Sequence, residues 1–178
     1  MSTMFPIASF DTISLGEANE LLILWKHRMG PICRPQFMPD IAHALYHGNK
    51  PVAVTVTSQM ITAHAAGEAS YLTRDKTIEL SRLCACRTGL CRVALRLWRE
   101  FVFSELPHEF AMSYQDADIH SGNTYRFDGW QRVAFSPKGG RDRRSGAEGR
   151  NKWIWQWPPL ANQSEVSETS DQPTEAQA

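Results

Sequence analysis

Long hydrophobic runs and a basic leader are both missing from this sequence. No stretch reaches the about 18 consecutive apolar residues that a membrane-spanning helix needs. The first residues, Met1–Phe10, lack the basic-then-apolar order of a secretion signal. We therefore expect the chain to act in the cytoplasm and to have no membrane partner.

Cysteine is scarce, with only Cys33, Cys84, Cys86 and Cys91 among 178 residues. Four clustered cysteines are too few for the disulfide framework of a small secreted domain. The spacing of the last three could hold zinc, but structural zinc sites usually combine two close pairs of Cys or His ligands. We interpret the four as reduced thiols that pack as small hydrophobic side chains.

An excess of either charge is also missing, because the formal net charge is zero. The charges are nevertheless segregated: residues 158–178 hold four acidic and no basic side chains, so residues 1–157 carry a net charge of +4. The acidic segment is rich in Ser, Gln, Thr and Pro, which is typical of disorder. We expect one folded domain over residues 1–157 and a disordered acidic tail over residues 158–178.

Hydrophobic periodicity predicts ten elements in the order β-α-β-β-β-α-β-α-β-β. The first helix begins at a capping box formed by Ser14 and Glu17, and the Gly48-Asn49 pair marks a hairpin turn. The predicted elements are strand 4–13, helix 14–26, strands 41–47, 52–57 and 77–85, helix 90–105, strand 110–114, helix 120–127, and strands 131–136 and 151–157. This order predicts an α/β (α+β) domain with a mixed, mostly antiparallel sheet and helices on both faces.

Three finer expectations concern the middle of the chain. Strict alternation along strand 77–85 places Glu79 and Arg82 on opposite faces of the sheet. The apolar face of helix 90–105 is expected to contain Val93, Leu97 and Phe101. The polar segment 60–76 is expected to be a surface loop that could cover a site.

The turn Arg87–Arg92 joins the strand 77–85 to the following helix. A glycine at such a turn lets a phosphate approach the backbone, and free N–H groups at a helix start attract anions. Arg87 and Arg92 would add charge-assisted hydrogen bonds. The alternative is an ordinary strand-to-helix turn with solvated arginines.

Short motifs in the second half of the chain resemble those of the GNAT N-acyltransferase superfamily. Glu79–Leu83 is similar to a pattern in which an acidic residue and an arginine flank the fourth strand. Tyr114–Asp116, followed by His120–Gly122 and Tyr125, resembles a second motif, and Gly129-Trp130 resembles a third. Within the superfamily, the sequence is most similar to the Mom-type phage DNA-modification proteins and their relatives. The similarity covers roughly residues 10–157.

The resemblance implies an enzyme that binds acetyl-CoA or a related acyl-CoA. The implied coenzyme-binding residues are Leu83, Cys84, Arg87, Thr88, Gly89, Leu90, Cys91 and Arg92. The implied catalytic residues are Arg82, Asp116, Tyr125, His27, Glu79 and His120. In such a site a carboxylate or His takes a proton from the attacking amine, and Tyr125 would donate one to the leaving thiolate.

The Mom-type resemblance implies that the acceptor is the exocyclic amine of adenine in phage or prophage DNA. Two alternatives stay open: an ordinary N-acetyltransferase of a protein or small-molecule amine, and a non-catalytic DNA-binding or regulatory module. The resemblance also raises Fe(II), because His27, His120, Glu79 and Asp116 together offer imidazole and carboxylate ligands.

The segment 138–152 is the candidate DNA-binding region. It combines glycines with basic residues and precedes three tryptophans, a composition suited to phosphate contact and base stacking. The proposed contacts are Arg141, Arg143, Arg144, Arg150 and Lys152. The alternative is a solvated loop with the tryptophans packed into the sheet.

Overall fold

The computed structural model describes residues 8–33, 40–138 and 149–160. The strands are β1 (Ala8–Ile13), β2 (Ile41–His47), β3 (Lys50–Gln59), β4 (Thr77–Ala85), β5 (Phe110–Asp116), β6 (Gln131–Ser136) and β7 (Lys152–Trp157). The helices are α1 (Leu15–Leu24), α2 (Leu90–Phe101) and α3 (Asn123–Arg126). The order of these ten elements is the one predicted from the sequence.

The seven strands form one sheet in the order β1-β2-β3-β4-β5-β7-β6. Neighbouring strands are antiparallel except for β4 and β5, which run parallel. A parallel pair requires a crossover between its strands, and α2 provides it. The predicted mixed, mostly antiparallel sheet is confirmed.

The two faces of the sheet carry different helices. On the first, which we call the α1 face, Ala18 and Leu22 of α1 pack with Val54 and Val56. On the opposite α2 face, Leu95 and Trp98 of α2 pack in a cluster with Leu80. The predicted capping box is present at the start of α1, where Ser14 accepts from the Glu17 amide and the Glu17 carboxylate accepts from the Ser14 amide.

The buried face of α2 differs from the predicted one. Ala94, Leu95 and Trp98 are buried, whereas Val93 and Phe101 are exposed. The helix has two adjacent apolar stripes, and the sequence does not say which one meets the sheet. Trp98 decides the choice, because its indole N–H donates to the buried Thr57 hydroxyl at 2.7 Å and fixes the rotation of the helix.

Segment 60–76 is mostly exposed, as expected of a surface loop, but it is anchored on the sheet and does not line the cleft described below. Its side chains Met60, Ala65 and Leu72 are buried in a cluster with Met112 and Ile154 on the α1 face. The segment occupies the part of that face that α1 does not cover.

The sequence predicts that the cysteines pack as small hydrophobic side chains. Cys84 is buried in the cluster that joins α1 to β3, as expected, but Cys33 and Cys86 are exposed, so the expectation that all four pack as small hydrophobic side chains is wrong for these two. Within the described ranges no helix combines the length and apolar character needed to cross a membrane.

Candidate active site

A cleft opens where β4 and β5 separate. The two strands pair only from Thr77 to Glu79 and from Phe110 to Met112, although β4 continues to Ala85 and β5 to Asp116. The cleft has a volume of about 200 Å³. Its wall includes Leu80, Ser81 and Leu83 of β4, residues 113–116 of β5, residues 119–125, Cys91, residues 27–29, and Arg150. It therefore draws on both faces of the sheet.

A β-bulge lies in β4 beside the cleft. Leu80 pairs with Thr57 and Arg82 with Val56, so Ser81 is an extra residue in the strand. The Ser81 hydroxyl donates to the Val56 carbonyl at 3.0 Å. The inserted residue reverses the alternation, so Glu79 and Arg82 lie on the same face, and the expectation that they point to opposite faces is wrong.

Arg82 ties β4 to the turn that follows α1. Its Nε donates to the Gly30 carbonyl at 3.2 Å and its Nη1 to the Ser81 carbonyl at 2.8 Å. The same turn carries residues 27–29 into the cleft wall. These contacts hold the turn in place, and the catalytic role implied for Arg82 stays a prediction.

His27 lies in that turn and is neutral at physiological pH. Burial, together with the positive charges of Arg82 and Arg150, lowers its pKa to about 4. Its Nδ1 accepts a hydrogen bond from the Met29 amide at 3.3 Å, which places the ring proton on Nε2. His27 can therefore donate a hydrogen bond to a ligand, but in this tautomer it is not a base.

The low pKa of His27 predicts that the folded protein loses stability in acid. Between its ordinary pKa near 6.5 and about 4, the unfolded chain binds a proton that the folded chain does not. The contribution of His27 to the free energy of unfolding is therefore complete above pH 6.5. It decreases as the pH falls from 6.5 towards 4. Urea unfolding at pH 7 and pH 4.5 should show wild type losing about 2 kcal/mol more than His27→Gln. Equal losses in the two proteins would contradict this account.

Asp116 lies at the end of β5, on the floor of the cleft, and is buried. Its Oδ1 accepts from the Asp118 amide at 3.1 Å. Its Oδ2 makes no hydrogen bond within the described residues, although Arg28 Nε lies 3.4 Å and Arg150 Nη1 3.5 Å away. A buried carboxylate oxygen that makes no hydrogen bond is costly unless a ligand uses it.

The hypothetical iron ligands are not brought together. Across residues 8–33, 40–138 and 149–160, no three His, Cys, Asp or Glu side chains are arranged to hold a metal ion. Asp116 is flanked by two guanidinium groups and no imidazole, and His120 is exposed. Glu79 is buried on the α1 face, where its charge adds to burial in raising the pKa of Tyr114. The Fe(II) hypothesis is therefore not supported.

Tyr125 is buried on the α2 face and reaches the cleft. Its ring stacks on Trp155 with centroids 5.5 Å apart. The Ser113 hydroxyl donates to the Leu80 carbonyl at 2.8 Å, so the Tyr125 hydroxyl is the donor in its own 2.8 Å bond to Ser113. Burial raises the pKa of Tyr125 to about 12, so the phenol keeps its proton at neutral pH.

The start of α2 is open to a ligand. Gly89 has φ +90°, and an added Cβ would meet nothing within 4 Å. In the described part of the chain no side chain caps this helix. Arg87, Thr88 and Arg92 are exposed around it.

Some of the implied coenzyme-binding groups are used by the protein itself. The Cys86 amide, directly before the Arg87–Arg92 turn, donates to the Val52 carbonyl at 3.0 Å. The Cys84 side chain packs against α1, whereas Leu83 and Leu90 pack beside Ala94 on the α2 face. Cys91 lines the cleft, and burial raises its pKa to about 11, so it is a neutral thiol.

The expected DNA contacts divide into two groups. Arg141, Arg143 and Arg144 lie outside the described residues. Arg150 faces Asp116, and Lys152 is half-buried with its Nζ 4.8 Å from the centre of the Tyr114 ring. The tryptophans of β7 pack against the sheet: Trp155 is buried, and Trp153 and Trp157 pack beside the same core.

Sequence reasoning missed Arg28, Ser113 and Ser81. Arg28 and Ser81 gain their roles through contacts with Asp116 and Val56, which are distant in sequence. Ser113 could have been found from the alternation along β5, because it lies on the same face of the strand as Gln115. The Gln115 side chain accepts a hydrogen bond from Trp155 Nε1 at 2.8 Å.

No family model and no curated protein matches the sequence, but solved structures match the fold. An aminoglycoside N(6')acetyltransferase from Legionella pneumophila superposes with a TM-score of 0.51 at 13% identity, over 86% of this chain and 93% of that one. NAA60 from Arabidopsis thaliana, in complex with acetyl-CoA, gives 0.57 at 9% identity, over 85% and 98%.

A spermidine N-acetyltransferase variant from Vibrio cholerae gives a TM-score of 0.56 at 8% identity, over 84% of this chain and 92% of that one. A probable acetyltransferase of the GNAT family from Chromobacterium violaceum gives 0.54 at 12% identity, over 84% and 86%. At these identities the comparison concerns architecture. The chain has the fold of the GNAT acetyltransferases.

Proposed function

We propose that this protein is an N-acetyltransferase that transfers an acetyl group from acetyl-CoA to an amine. The observation that carries the proposal is the separation of β4 from β5, which opens a cleft beside the uncapped start of α2. A buried carboxylate and a buried phenol line the same cleft. The likeness to acetyltransferases, one of them in complex with acetyl-CoA, adds to it.

The residues at the start of α2 fit the diphosphate of a coenzyme. Free N–H groups at a helix start favour an anion, and the open side of Gly89 leaves room for it beside the backbone. Arg87 and Arg92 would supply charge-assisted hydrogen bonds from the solvent side. The strand edges beyond Glu79 and Met112 do not pair with each other, which leaves room between them for the coenzyme arm.

When bound, acetyl-CoA would supply a thioester whose carbonyl carbon an amine can attack. The Asp116 carboxylate lines the cleft and makes no hydrogen bond through Oδ2, so it is the group best placed to accept a proton from the amine once Arg28 and Arg150 turn towards the ligand. His27 Nε2 would donate a hydrogen bond to the acceptor, and Tyr125 would donate a proton to the departing sulfur. Arg82 holds the His27 turn in place.

Acetyl-CoA binding is the first test, measured by calorimetry and by the rise in unfolding temperature with ligand concentration. Replacing Arg87 and Arg92 together by Gln should weaken binding about 10-fold, because charge-assisted contacts to phosphate are lost. Arg132→Gln is the matched control, since Arg132 is an exposed arginine that stacks on Trp153 at 4.2 Å, away from the cleft. No binding by the wild-type protein would contradict the proposal and favour the non-catalytic alternative.

Adenine in DNA is a finer hypothesis about the acceptor, and the described residues give it little support. Of the five proposed contacts, the two described ones, Arg150 and Lys152, lie beside Asp116 and Tyr114. A mass spectrum of nucleosides from cells that express the chain would test it. A new adenine derivative would establish DNA as the substrate class.

A further inference from the structure

We call the end of the cleft at Asp116 the acceptor end. It carries more positive than negative charge. Arg28 and Arg150 both face one oxygen of Asp116, so two cations meet a single carboxylate. The Asp116 side chain is 6% exposed, whereas those of Arg28 and Arg150 are 48% and 22% exposed. At 3.4 and 3.5 Å, neither arginine makes a short hydrogen bond with Asp116. Both guanidiniums keep donors free for a further anion.

The other charged groups around this end do not remove the imbalance. Arg82 is bonded to the backbone carbonyls of Gly30 and Ser81. Glu79 and Lys152 interact with each other, since the charge of Glu79 raises the pKa of Lys152 against the lowering caused by burial. His27 is neutral above about pH 6.5.

Two large apolar side chains also line this end of the cleft. Met29 and Ile119 are exposed although each is a large hydrophobic residue. Met29 follows Arg28 directly, and Ile119 lies three residues after Asp116. The charged groups and the apolar groups are therefore adjacent.

Building on the proposed function, we propose that the amine acceptor is a free α-amino acid with an apolar side chain. Its carboxylate would bind Arg28 and Arg150 and draw them away from Asp116 Oδ2, which they now cover, and its ammonium group, one carbon away, would then bind Asp116. Its side chain would cover Met29 and Ile119. The plus-minus-plus order of Arg28, Asp116 and Arg150 matches a zwitterion better than it matches a simple amine or a peptide N-terminus.

The transfer step conserves atoms and charge. The acceptor ammonium first loses one proton to Asp116, which makes the nitrogen a nucleophile. A bond then forms between that nitrogen and the acetyl carbon while the carbon–sulfur bond breaks. The sulfur takes one proton from Tyr125, which regains one from the nitrogen through the cleft, so the products are the N-acetyl amino acid, free CoA and one proton.

Matched pairs of acceptors test the proposal. L-phenylalanine and L-leucine should react with kcat/KM about 100-fold above phenethylamine and isopentylamine, which lack only the carboxylate. Glycine should react more slowly than either amino acid, because it cannot cover Met29 and Ile119. Thiol release from acetyl-CoA measures the rate, and calorimetry of amino-acid binding to the CoA-loaded protein gives a readout independent of turnover.

Variants of Arg28 and Arg150 test whether these two residues cause the preference for amino acids over simple amines. Arg28→Gln and Arg150→Gln should each lower the ratio of kcat/KM for phenylalanine to that for phenethylamine about 10-fold, because only phenylalanine has a carboxylate to lose a contact. Arg28→Lys should keep part of the binding because it keeps the charge, and Arg132→Gln should change nothing.

The outcomes separate the two proposals. Failure of acetyl-CoA to bind would overturn the proposed function itself. If acetyl-CoA binds, then faster reaction of the decarboxylated amines, reaction of DNA or peptide N-termini only, or no reaction with either amino acid would overturn the amino-acid proposal.

Discussion

Replacing Tyr125 by Phe should lower kcat for acetyl transfer about 100-fold, the scale expected when a general acid is removed. The phenol is a buried proton donor that reaches the cleft, and its pKa of about 12 keeps it protonated over the whole neutral range. The ring and its stacking on Trp155 stay in place in the variant. Turnover is measured by thiol release, and unfolding should change by only about 1 kcal/mol for the lost hydrogen bond.

Ser113→Ala is the control for Tyr125→Phe. It removes the acceptor of the Tyr125 proton but keeps the phenol, so kcat should stay within a few-fold of wild type. Circular dichroism and unfolding curves establish that both variants fold. A Tyr125→Phe protein with wild-type kcat would show that the phenol is only a packing group.

Replacing Gly122 by Ala should destabilise the fold by about 3 kcal/mol, of which left-handed backbone strain and overpacking each supply a part. Gly122 has φ +78°, and an added Cβ would lie 2.5 Å from Trp155 Cζ2 and 2.7 Å from Gln115 Oε1. The ring of Trp155 is held by Tyr125 and by Gln115, so it cannot move aside cheaply. Urea unfolding measures the loss.

Gly48→Ala separates backbone strain from overpacking. Gly48 has φ +59° in the β2–β3 turn, where an added Cβ meets nothing within 4 Å, so this variant should lose only the strain of about 1 kcal/mol. Equal losses in the two variants would mean that the close approach to Trp155 costs nothing.

The course of α2 illustrates the limit of pattern reading. The sequence predicts a helix after Gly89, and one is there, but of the predicted face only Leu97 packs against the core, and Val93 and Phe101 are exposed. Two apolar stripes of similar strength lie side by side on this helix, and periodicity cannot choose between them. The hydrogen bond from Trp98 to Thr57 joins residues 41 positions apart, so no local signal carries it.

The strand β4 shows the same limit at the site. Its bounds, Thr77–Ala85, are those predicted, yet the orientation of Arg82 was wrong because Ser81 forms a bulge. A bulge depends on the pairing of β4 with β3, and alternation within one strand does not reveal it.

By itself the sequence determined the order and type of the ten elements, the capping box of α1 and the mixed class of the sheet. These follow from local preferences and periodicity, which act over a few neighbouring residues. Only the tertiary structure decided that β4 and β5 separate after three pairs, that Arg28 and Arg150 meet at Asp116, and that Tyr125 donates to Ser113. The physical reason is that a cleft and its charges arise between segments that are distant in sequence, where strand register and packing, not local preference, set every distance.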